Sequence, residues 1–360
     1  SYLGRKRSGQ KYHTIRFIME DSKFLRALNL QPNSIPPVWF MRQAGRYLPE
    51  YQKIRKNYSN FLDMCKQPKT CAELAMQPIE RFDLDASILF SDILTIPDAL
   101  NLGLAFYEGE GPKFSNPISS PDDIKKLIPF DVNNLGYVFK AVEETKNLLP
   151  KDIPLIGFCG SPWTLAAYSI EGGSSKDFNK TKKFMREYPN ELQNFLEILS
   201  NACFDYLKQQ VLSGVDTLQI FDSWADLLSD NELERFSLKY TRMLAELLKK
   251  DPVTADIPII LFEKSPNKKV EDLVFKEITC VSLYWQEDIE RISKNLIGLF
   301  AIQGNLDPKV LLRSDESIWQ ETKRICNLMK EYPGFIFNLG HGITPDIDPN
   351  KVQVMIDAIR

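Results

Sequence analysis

Short apolar runs alternate with longer amphipathic stretches along most of the chain. Eight runs have the length of a strand and are apolar at both odd and even positions, which is typical of strands buried on both faces of a parallel sheet. These runs are Val38–Met41, Ala86–Phe90, Pro154–Cys159, Thr217–Phe221, Ile257–Phe262, Cys280–Trp285, Ile297–Ile302 and Phe335–Leu339. Between them, hydrophobic residues recur with helical spacing, as in Asn190–Val211 and Glu232–Lys249. The pattern predicts strands and helices in alternation.

The chain contains no linker rich in Gly, Ser or Pro, because its 22 prolines are scattered at the ends of segments. Its 360 residues are enough for one large barrel or for two smaller domains. Eight strand–helix repeats without a linker predict an α/β fold, a single (β/α)8 barrel of the TIM type over residues 21–360, with a doubly wound sheet as the alternative. A deep cleft at the C-terminal ends of the strands is expected to hold the chemistry, so residues directly after each apolar run are site candidates.

Composition limits the partners of the chain. Lys and Arg number 45 and Asp and Glu 48, so the net charge of −3 provides no general attraction for nucleic acid or anionic lipid. No apolar run approaches the roughly 18 residues of a membrane-spanning helix. The six cysteines show no CxxC spacing and the only histidines are His13 and His341, which predicts reduced thiols and no metal site made by the protein alone. We expect no nucleic-acid, membrane or metal partner.

Residues 1–20 form a basic N-terminal extension. Five Lys and Arg side chains precede the first acidic residue, Glu20. Such a composition is typical of the remnant of an organellar transit peptide, although an expression scar or a ragged basic terminus looks the same.

Two arginines follow the first apolar run. Arg42 and Arg46 are four residues apart and are separated by a loop that contains the small pair Ala44 and Gly45. Such a loop is able to present guanidinium groups to carboxylates or phosphates. The alternative is an ordinary ion pair between one arginine and an acid on a neighbouring loop.

Other polar residues follow later runs. Asp92 follows the second run, Asp222 and Ser223 follow the fourth, and His341 follows the eighth between two glycines. An aspartate after a strand is more often a turn or helix-cap residue than a catalytic one, and a lone histidine is usually a packed or surface residue. Tyr168 lies about one turn into the helix after the third run.

Six motifs, in the same order, resemble those of the uroporphyrinogen decarboxylase family, from about Lys23 to the C-terminus. They are Pro37–Tyr47, Phe90–Leu94, Gly157–Gly173, Phe221–Trp224, Gln303–Pro308 and Asn338–Gly342. The resemblance implies a (β/α)8 barrel, usually a homodimer, that converts uroporphyrinogen III to coproporphyrinogen III without a metal or organic cofactor. Residues 171–176 look like those of bacterial and plastid members, which implies a plastid-type stroma, with the cytoplasm as the alternative.

The resemblance also assigns roles to residues. Arg42 and Arg46 would bind substrate carboxylates, and Asp92 would accept the pyrrole N–H groups. The implied catalytic residues are Asp92, Arg42, Tyr168 and His341. The implied substrate-binding residues are Arg42, Gln43, Ala44, Arg46, Asp92, Tyr168, Ser223 and His341.

The chemistry of decarboxylation suits these residue types. The electron pair left by a departing acetate carboxylate needs an acceptor, and a pyrrole protonated at a ring carbon provides one within the substrate. Arginines would hold the many carboxylates, and the ionised Asp92 would stabilise the cationic ring. The proton donor stays open among Arg42, which is suitably placed, and His341 and Tyr168, which are easier acids.

The sequence departs from the resembled pattern at three places. Asp226 stands where the family often has Gly, Tyr284 stands where an Asp-Trp pair often occurs, and Glu263–Pro266 replaces a smaller loop. We expect these departures to change the rim of the cleft. Two alternatives remain, a cobalamin- or zinc-dependent methyltransferase of a related barrel class, with Cys159, Cys280 and His341 as zinc ligands, and a catalytically silent homologue.

Overall fold

A computed structural model describes residues 22–265 and 268–360, and the basic extension over residues 1–20 lies outside them. Within the described residues, one sheet of parallel strands dominates the fold. Its strands are β1 (Ser87–Ile88), β4 (Leu155–Gly160), β5 (Thr217–Asp222), β6 (Ile259–Glu263), β7 (Cys280–Ser282), β8 (Ala301–Leu306) and β9 (Phe335–Leu339). A separate antiparallel hairpin consists of β2 (Leu104–Tyr107) and β3 (Gly111–Phe114).

Helices connect the strands of the sheet. The α-helices are α1 (Lys23–Leu28), α2 (Pro49–Arg55), α3 (Phe61–Cys65), α4 (Pro68–Arg81), α5 (Thr95–Ala99), α6 (Pro121–Lys125), α7 (Gly136–Leu148), α8 (Pro162–Glu171), α9 (Asn179–Glu187), α10 (Pro189–Ser213), α11 (Asp230–Glu232), α12 (Lys239–Lys250), α13 (Ile289–Leu296), α14 (Asp315–Leu328) and α15 (Pro349–Ile359). A π-helical segment, Leu233–Leu238, joins α11 to α12. None of these helices is long and apolar enough to cross a membrane.

The order of strands in the sheet follows the chain, from β1 through β4 to β9, and every neighbouring pair is parallel. A doubly wound sheet reverses its strand order at a switch point, and this sheet does not. The prediction of an α/β fold with a parallel sheet is therefore confirmed, and the doubly wound alternative was wrong.

The first apolar run forms less strand than predicted. Val38 makes only an isolated parallel bridge to Phe337. The N–H of Phe337 donates to the carbonyl of Pro37 at 2.8 Å, and that of Trp39 donates to the carbonyl of Phe337 at 3.4 Å. On the other side, the N–H of Asp85, just before β1, donates to the carbonyl of Val38 at 2.9 Å. The extended segment is short because prolines, which lack an N–H, precede it and a left-handed turn follows at once.

The prediction for β8 was wrong by four residues. The run was expected to begin at Ile297, but β8 begins at Ala301. Ile297 and Leu299 are more than half exposed, and Gly298, with a φ of 78°, makes a turn between the helix and the strand. Apolar side chains in a surface turn had therefore extended the apparent strand.

Side chains of the sheet alternate between the helices and the inner face. Ile220 and Leu261 belong to the cluster packed against the helices, whereas Ile156, Ile260 and Ile336 belong to the inner cluster. A polar network crosses this inner face. Gln303 Nε2 donates to Gln219 Oε1 at 3.1 Å and to Ser282 Oγ at 2.9 Å, and Trp39 Nε1 donates to Gln303 Oε1 at 2.8 Å. Side chains two residues further along these strands face the C-terminal end of the same inner side.

Candidate active site

The arginine loop is shaped by Gln43. The backbone N–H of Phe40 donates to Gln43 Oε1 at 3.1 Å, and Gln43 Nε2 donates to the carbonyl of Ala86 at 3.1 Å. The hydroxyl of Tyr47 donates to the carbonyl of Gln43 at 2.6 Å. Gln43 is fully buried, so its side chain holds the turn in place instead of facing the site. Ala44 is partly buried within this turn.

The turn places Arg42 in an unusual backbone conformation, with a φ of 63°. A side-chain-bearing residue in the left-handed region costs about 1 kcal/mol and persists where the surroundings impose it. The Arg42 side chain lies against Gly342, since a Cβ at residue 342 would be 2.6 Å from Arg42 Cδ. Arg42 and Arg46 are both exposed, and neither forms an ion pair with a carboxylate of the described residues. The alternative of an ordinary ion pair thus receives no support there.

Asp92 lies in the loop between β1 and α5. Its Oδ1 accepts a hydrogen bond of 2.7 Å from the N–H of Leu94, the residue before α5, so the aspartate also serves the turn. Burial raises the pKa of Asp92 to about 6, although the Leu94 N–H and the positive charge of Arg42 both lower it. The structure therefore places the carboxylate within electrostatic range of the arginine.

His341 lies after β9 and packs edge-on against two rings. The ring centroids of Phe262 and Tyr284 are each 6.1 Å from that of the imidazole. Burial lowers the pKa of His341 to about 4, and the charges of Arg42 and Lys264 lower it further. The imidazole is consequently neutral at physiological pH.

Tyr168 and Ser223 complete the predicted set. Tyr168 lies on α8 with its ring centroid 5.9 Å from that of Trp224 and 6.0 Å from that of Phe178. Burial raises the pKa of Tyr168, and the nearby charges of Asp92 and Arg42 also act on it. Ser223 follows β5 directly and is partly buried.

Arg42 thus connects the predicted residues electrostatically, because its charge acts on Asp92, Tyr168 and His341. Arg46 lies further along the loop, where its charge acts on Tyr51.

One residue near the site did not emerge as a candidate from the sequence. Lys264 extends over the ring of Trp224, with Nζ 5.4 Å from the ring centroid. The sequence could have identified Lys264 from its position directly after β6, two residues after Phe262, whose side chain faces the inner side of the sheet. Asp222 turns the other way, towards the helices, so it is not part of the inner site.

Asp222 is completely buried and is bonded by hydroxyl groups of the helical layer. Ser161 Oγ and Thr164 Oγ1 each donate to its Oδ1 at 2.8 Å, and the Ser237 hydroxyl donates to its Oδ2. These bonds join β5 to α8 and to the π-helical segment. The alternative of a structural aspartate therefore fits Asp222.

Among residues 22–265 and 268–360, no three His, Cys, Asp or Glu side chains form a group that could hold a metal ion. Cys159 and Cys280, which the zinc alternative would use, are both buried. A cavity of about 290 Å³ lies beyond β7 and β8, between Trp285 and Arg324, but it is lined by none of the predicted site residues.

A family model described as uroporphyrinogen decarboxylase matches residues 19–360. The chain belongs to the uroporphyrinogen decarboxylase family. The uroporphyrinogen decarboxylase of Vesicomyosocius okutanii is 47% identical over 337 residues, which cover 94% of this chain and 97% of that relative. The uroporphyrinogen decarboxylase of Legionella pneumophila strain Philadelphia 1 is 44% identical over 345 residues, which cover 96% of this chain and 97% of the relative.

Solved structures agree on the fold. A methyltransferase from Methanosarcina mazei superposes with a TM-score of 0.72 at 18% sequence identity, covering 94% of this chain and 98% of its own. At this identity the likeness concerns the fold alone. The resemblance to the uroporphyrinogen decarboxylase family that the six motifs indicated is confirmed by the family match.

Proposed function

We propose that this chain is a carboxy-lyase of porphyrin and haem biosynthesis that converts uroporphyrinogen III to coproporphyrinogen III. The observation that carries the proposal is the Asp92 carboxylate, on which the charge of the Arg42 guanidinium acts, in a chain of this family. The substrate has eight carboxylates and four pyrrole N–H groups, so it needs both cations and a central acceptor. The arrangement offers both.

Arg42 and Arg46 hold the carboxylates of the substrate in this proposal. Both are exposed and free of described carboxylate partners, so substrate binding displaces no ion pair known from the structure. A guanidinium binds a carboxylate through two parallel hydrogen bonds. Gln43 and Ala44 belong to the proposed binding set through the turn that presents Arg42, and Ser223 contributes a hydroxyl.

Asp92 accepts the pyrrole N–H groups and stabilises the positive ring. With a pKa of about 6 it is mostly ionised at neutral pH, and N–H donors favour the ionised form further. A proton added to a pyrrole ring carbon makes the ring an electron acceptor. The bond to the acetate carboxylate then breaks, its electron pair enters the ring and carbon dioxide leaves. The remaining exocyclic carbon gains a proton to become a methyl group, and the ring carbon releases the proton that it had accepted, which restores the neutral pyrrole.

Arg42 is the proposed proton donor. His341, with a pKa of about 4, carries no extra proton at neutral pH, and the raised pKa of Tyr168 makes its phenol a weaker acid. A guanidinium is a weak acid, so it gives up a proton only to a strongly polarised acceptor. In this proposal, the acceptor is the substrate pyrrole ring beside Asp92. His341 and Tyr168 then act as neutral hydrogen-bonding groups that contact the substrate.

We also propose that the sheet closes into an eight-stranded barrel, with residues 37–39 as the remaining strand. The hydrogen bonds from this segment to Phe337 on one side and to Asp85 on the other support the closure. A closed barrel would place the C-terminal ends of all strands around one cleft.

For assembly and location, we propose a homodimer in the stroma of a plastid-type organelle, with the cytoplasm as the alternative. The basic residues that favour an organelle lie outside the described residues. The relatives compared above are bacterial, which favours the alternative.

Incubation with uroporphyrinogen III under reducing conditions tests the proposed activity. Chromatography that separates porphyrins by carboxylate number is expected to show the eight-carboxylate species passing through intermediates to a four-carboxylate product. An unchanged substrate, with a related tetrapyrrole decarboxylase as the positive control, would reject the proposal and favour the silent homologue.

A further inference from the structure

Lys264 is a partly buried cation held at the C-terminal end of the sheet. Its Nζ lies 3.6 Å from Asp226 Oδ2, 5.4 Å from the ring centroid of Trp224 and 5.7 Å from that of Tyr284. The exposed fractions of the two charged side chains are 22% for Lys264 and 29% for Asp226. One carboxylate and two aromatic faces therefore hold the ammonium group in a position that solvent still reaches.

This position borders the space around the predicted active-site residues. The charge of Lys264 lowers the pKa of His341, as the charge of Arg42 does. Tyr284 contacts both the ammonium group and the imidazole, and Trp224 packs against Tyr168 as well as against Lys264. Lys264 and Arg42 thus act on the same imidazole.

The residues around the Lys264 ammonium group include all three places at which the sequence departs from the family pattern. Asp226, Tyr284 and the loop that contains Lys264 come from three different strand ends, and the structure brings them together. The departures therefore form one local arrangement in this chain.

We infer that Lys264 is a further substrate-binding cation and that Asp226 occupies it until a substrate carboxylate takes its place. The inference rests on the proposed function, because a polycarboxylate substrate is what provides the competing anion.

The geometry favours exchange over a permanent ion pair. A tight charge-assisted hydrogen bond between nitrogen and oxygen measures about 2.7–2.9 Å, and the Lys264–Asp226 distance of 3.6 Å is longer. Burial raises the pKa of Asp226, so the protein solvates this carboxylate poorly where it stands. Lysine is a compact charge on a flexible stem and is able to turn from one carboxylate to another.

Replacement of Lys264 tests the binding role. Lys264→Met is expected to raise the KM for uroporphyrinogen III about tenfold, since it removes one charge-assisted hydrogen bond, while kcat changes less than twofold. Lys264→Arg is expected to restore most of the KM. Lys264→Gln serves as a second neutral variant, and the thermal unfolding midpoint of each variant establishes that it is folded.

Lys146 provides a matched control. It is 30% exposed and paired with Asp216 at 2.8 Å, but Asp216 precedes β5, at the opposite end of the strand that Asp226 follows. Lys146→Met is expected to leave the KM unchanged.

Replacement of Asp226 tests the exchange. Asp226→Asn is expected to lower the KM about threefold, because the competing carboxylate is gone. In the double variant Asp226→Asn with Lys264→Met, the KM is expected to equal that of Lys264→Met alone. If Asp226→Asn raises the KM as Lys264→Met does, Asp226 only anchors the lysine, and the exchange is rejected.

The outcomes distinguish this inference from the proposed function. An active wild type whose KM is unchanged by both Lys264→Met and Lys264→Gln would overturn the inference alone. A folded wild type that does not consume uroporphyrinogen III would overturn both.

Discussion

The ionisable side chains near Arg42 differ in charge at physiological pH. Asp92, with a pKa of about 6, is mostly ionised there, whereas His341, with a pKa of about 4, is neutral. Burial raises the pKa of Tyr168, so its phenol is neutral as well. Asp92 therefore supplies the negative charge among the predicted catalytic residues, as a cationic ring intermediate requires.

The pH dependence of the reaction follows from Asp92. Protonation removes the charge that stabilises the ring, so kcat/KM is expected to fall as the pH drops through about 6. Initial rates between about pH 5 and pH 8 measure this acid limb of the pH profile of kcat/KM. Because the charge of Arg42 lowers the pKa of Asp92, the residual activity of Arg42→Gln is expected to show the limb at higher pH. A downward shift of the limb would contradict the electrostatic coupling.

The pKa of His341 provides an independent measure of the electrostatic effect of Arg42. Its imidazole is expected to titrate with a pKa of about 4 by NMR, with its signal assigned by comparison with His341→Asn, and the pKa is expected to rise in Arg42→Gln. Between about pH 6.5 and 4 the unfolded chain binds this proton more readily, so the free energy of unfolding falls as pH falls through that range. A wild-type pKa at or above the ordinary 6.5 would reject the buried, cation-flanked imidazole.

The strand-end rule and the motifs predicted Asp92 and His341 from sequence, because both follow apolar runs directly. The pKa values of these two residues could not be predicted from the sequence, since they depend on burial and on charges from other loops. Lys264 was missed for the same reason: its partners Asp226 and Tyr284 follow different strands, and only the folded sheet brings them together.

At the scale of elements, β5 and β6 meet the helices through two buried carboxyl groups. Asp222 and Glu263 are register partners, both buried on the helical side of the sheet. Burial raises the pKa of Glu263 well above 4.5, and the charge and hydrogen bond of Asp222 raise it further. Glu263 Oε1 has no hydrogen-bond partner among the described residues, which fits a protonated, uncharged carboxyl group.

Glu263→Gln is expected to stabilise the protein above the ordinary glutamate pKa. The folded chain retains a proton that the unfolded chain releases, so the free energy of unfolding falls as pH rises above about 4.5. Glutamine has the same shape and retains a hydrogen-bond donor, but its free energy of unfolding carries no such pH-dependent loss. The expected increase in the free energy of unfolding is on the order of 1–3 kcal/mol at pH 8 and much smaller at pH 4. Urea unfolding at both pH values measures it.

Glu263→Ala is the control for this prediction. It removes the donor and leaves a cavity, so it is expected to lower the free energy of unfolding at both pH values. Destabilisation by Glu263→Gln at pH 8 would show that the ionised carboxylate is the form the fold needs.

Most of the sheet could be predicted from apolar runs. The run Phe335–Leu339 coincides with β9, and Asn190–Val211 lies within α10. The hairpin of β2 and β3 was not predicted, because its strands are short and partly exposed and carry no continuous apolar run. Periodicity detects burial, and it fails where burial is one-sided or where a turn is itself apolar.

At the scale of the whole molecule, the proposed closure of the barrel depends on residues 37–39. Without this segment, Asp85 and Phe337 would lie on two open edges of the sheet. With it, the backbone N–H groups of both are hydrogen-bonded. Closure is expected to protect these two N–H groups from hydrogen exchange as strongly as those inside β5, which NMR exchange rates measure. Fast exchange at Asp85 in the folded protein would contradict closure.

The most direct test of the account is the rate of coproporphyrinogen formation by Asp92→Asn. The variant keeps the shape of the side chain but removes the charge, and it is expected to lower kcat by about 100- to 1,000-fold or more. Its fold is expected to persist, because the pKa of Asp92 is raised by burial and loss of that buried charge favours the folded state near neutral pH. Near-normal turnover by a folded Asp92→Asn or Asp92→Ala variant would contradict the central role of this carboxylate.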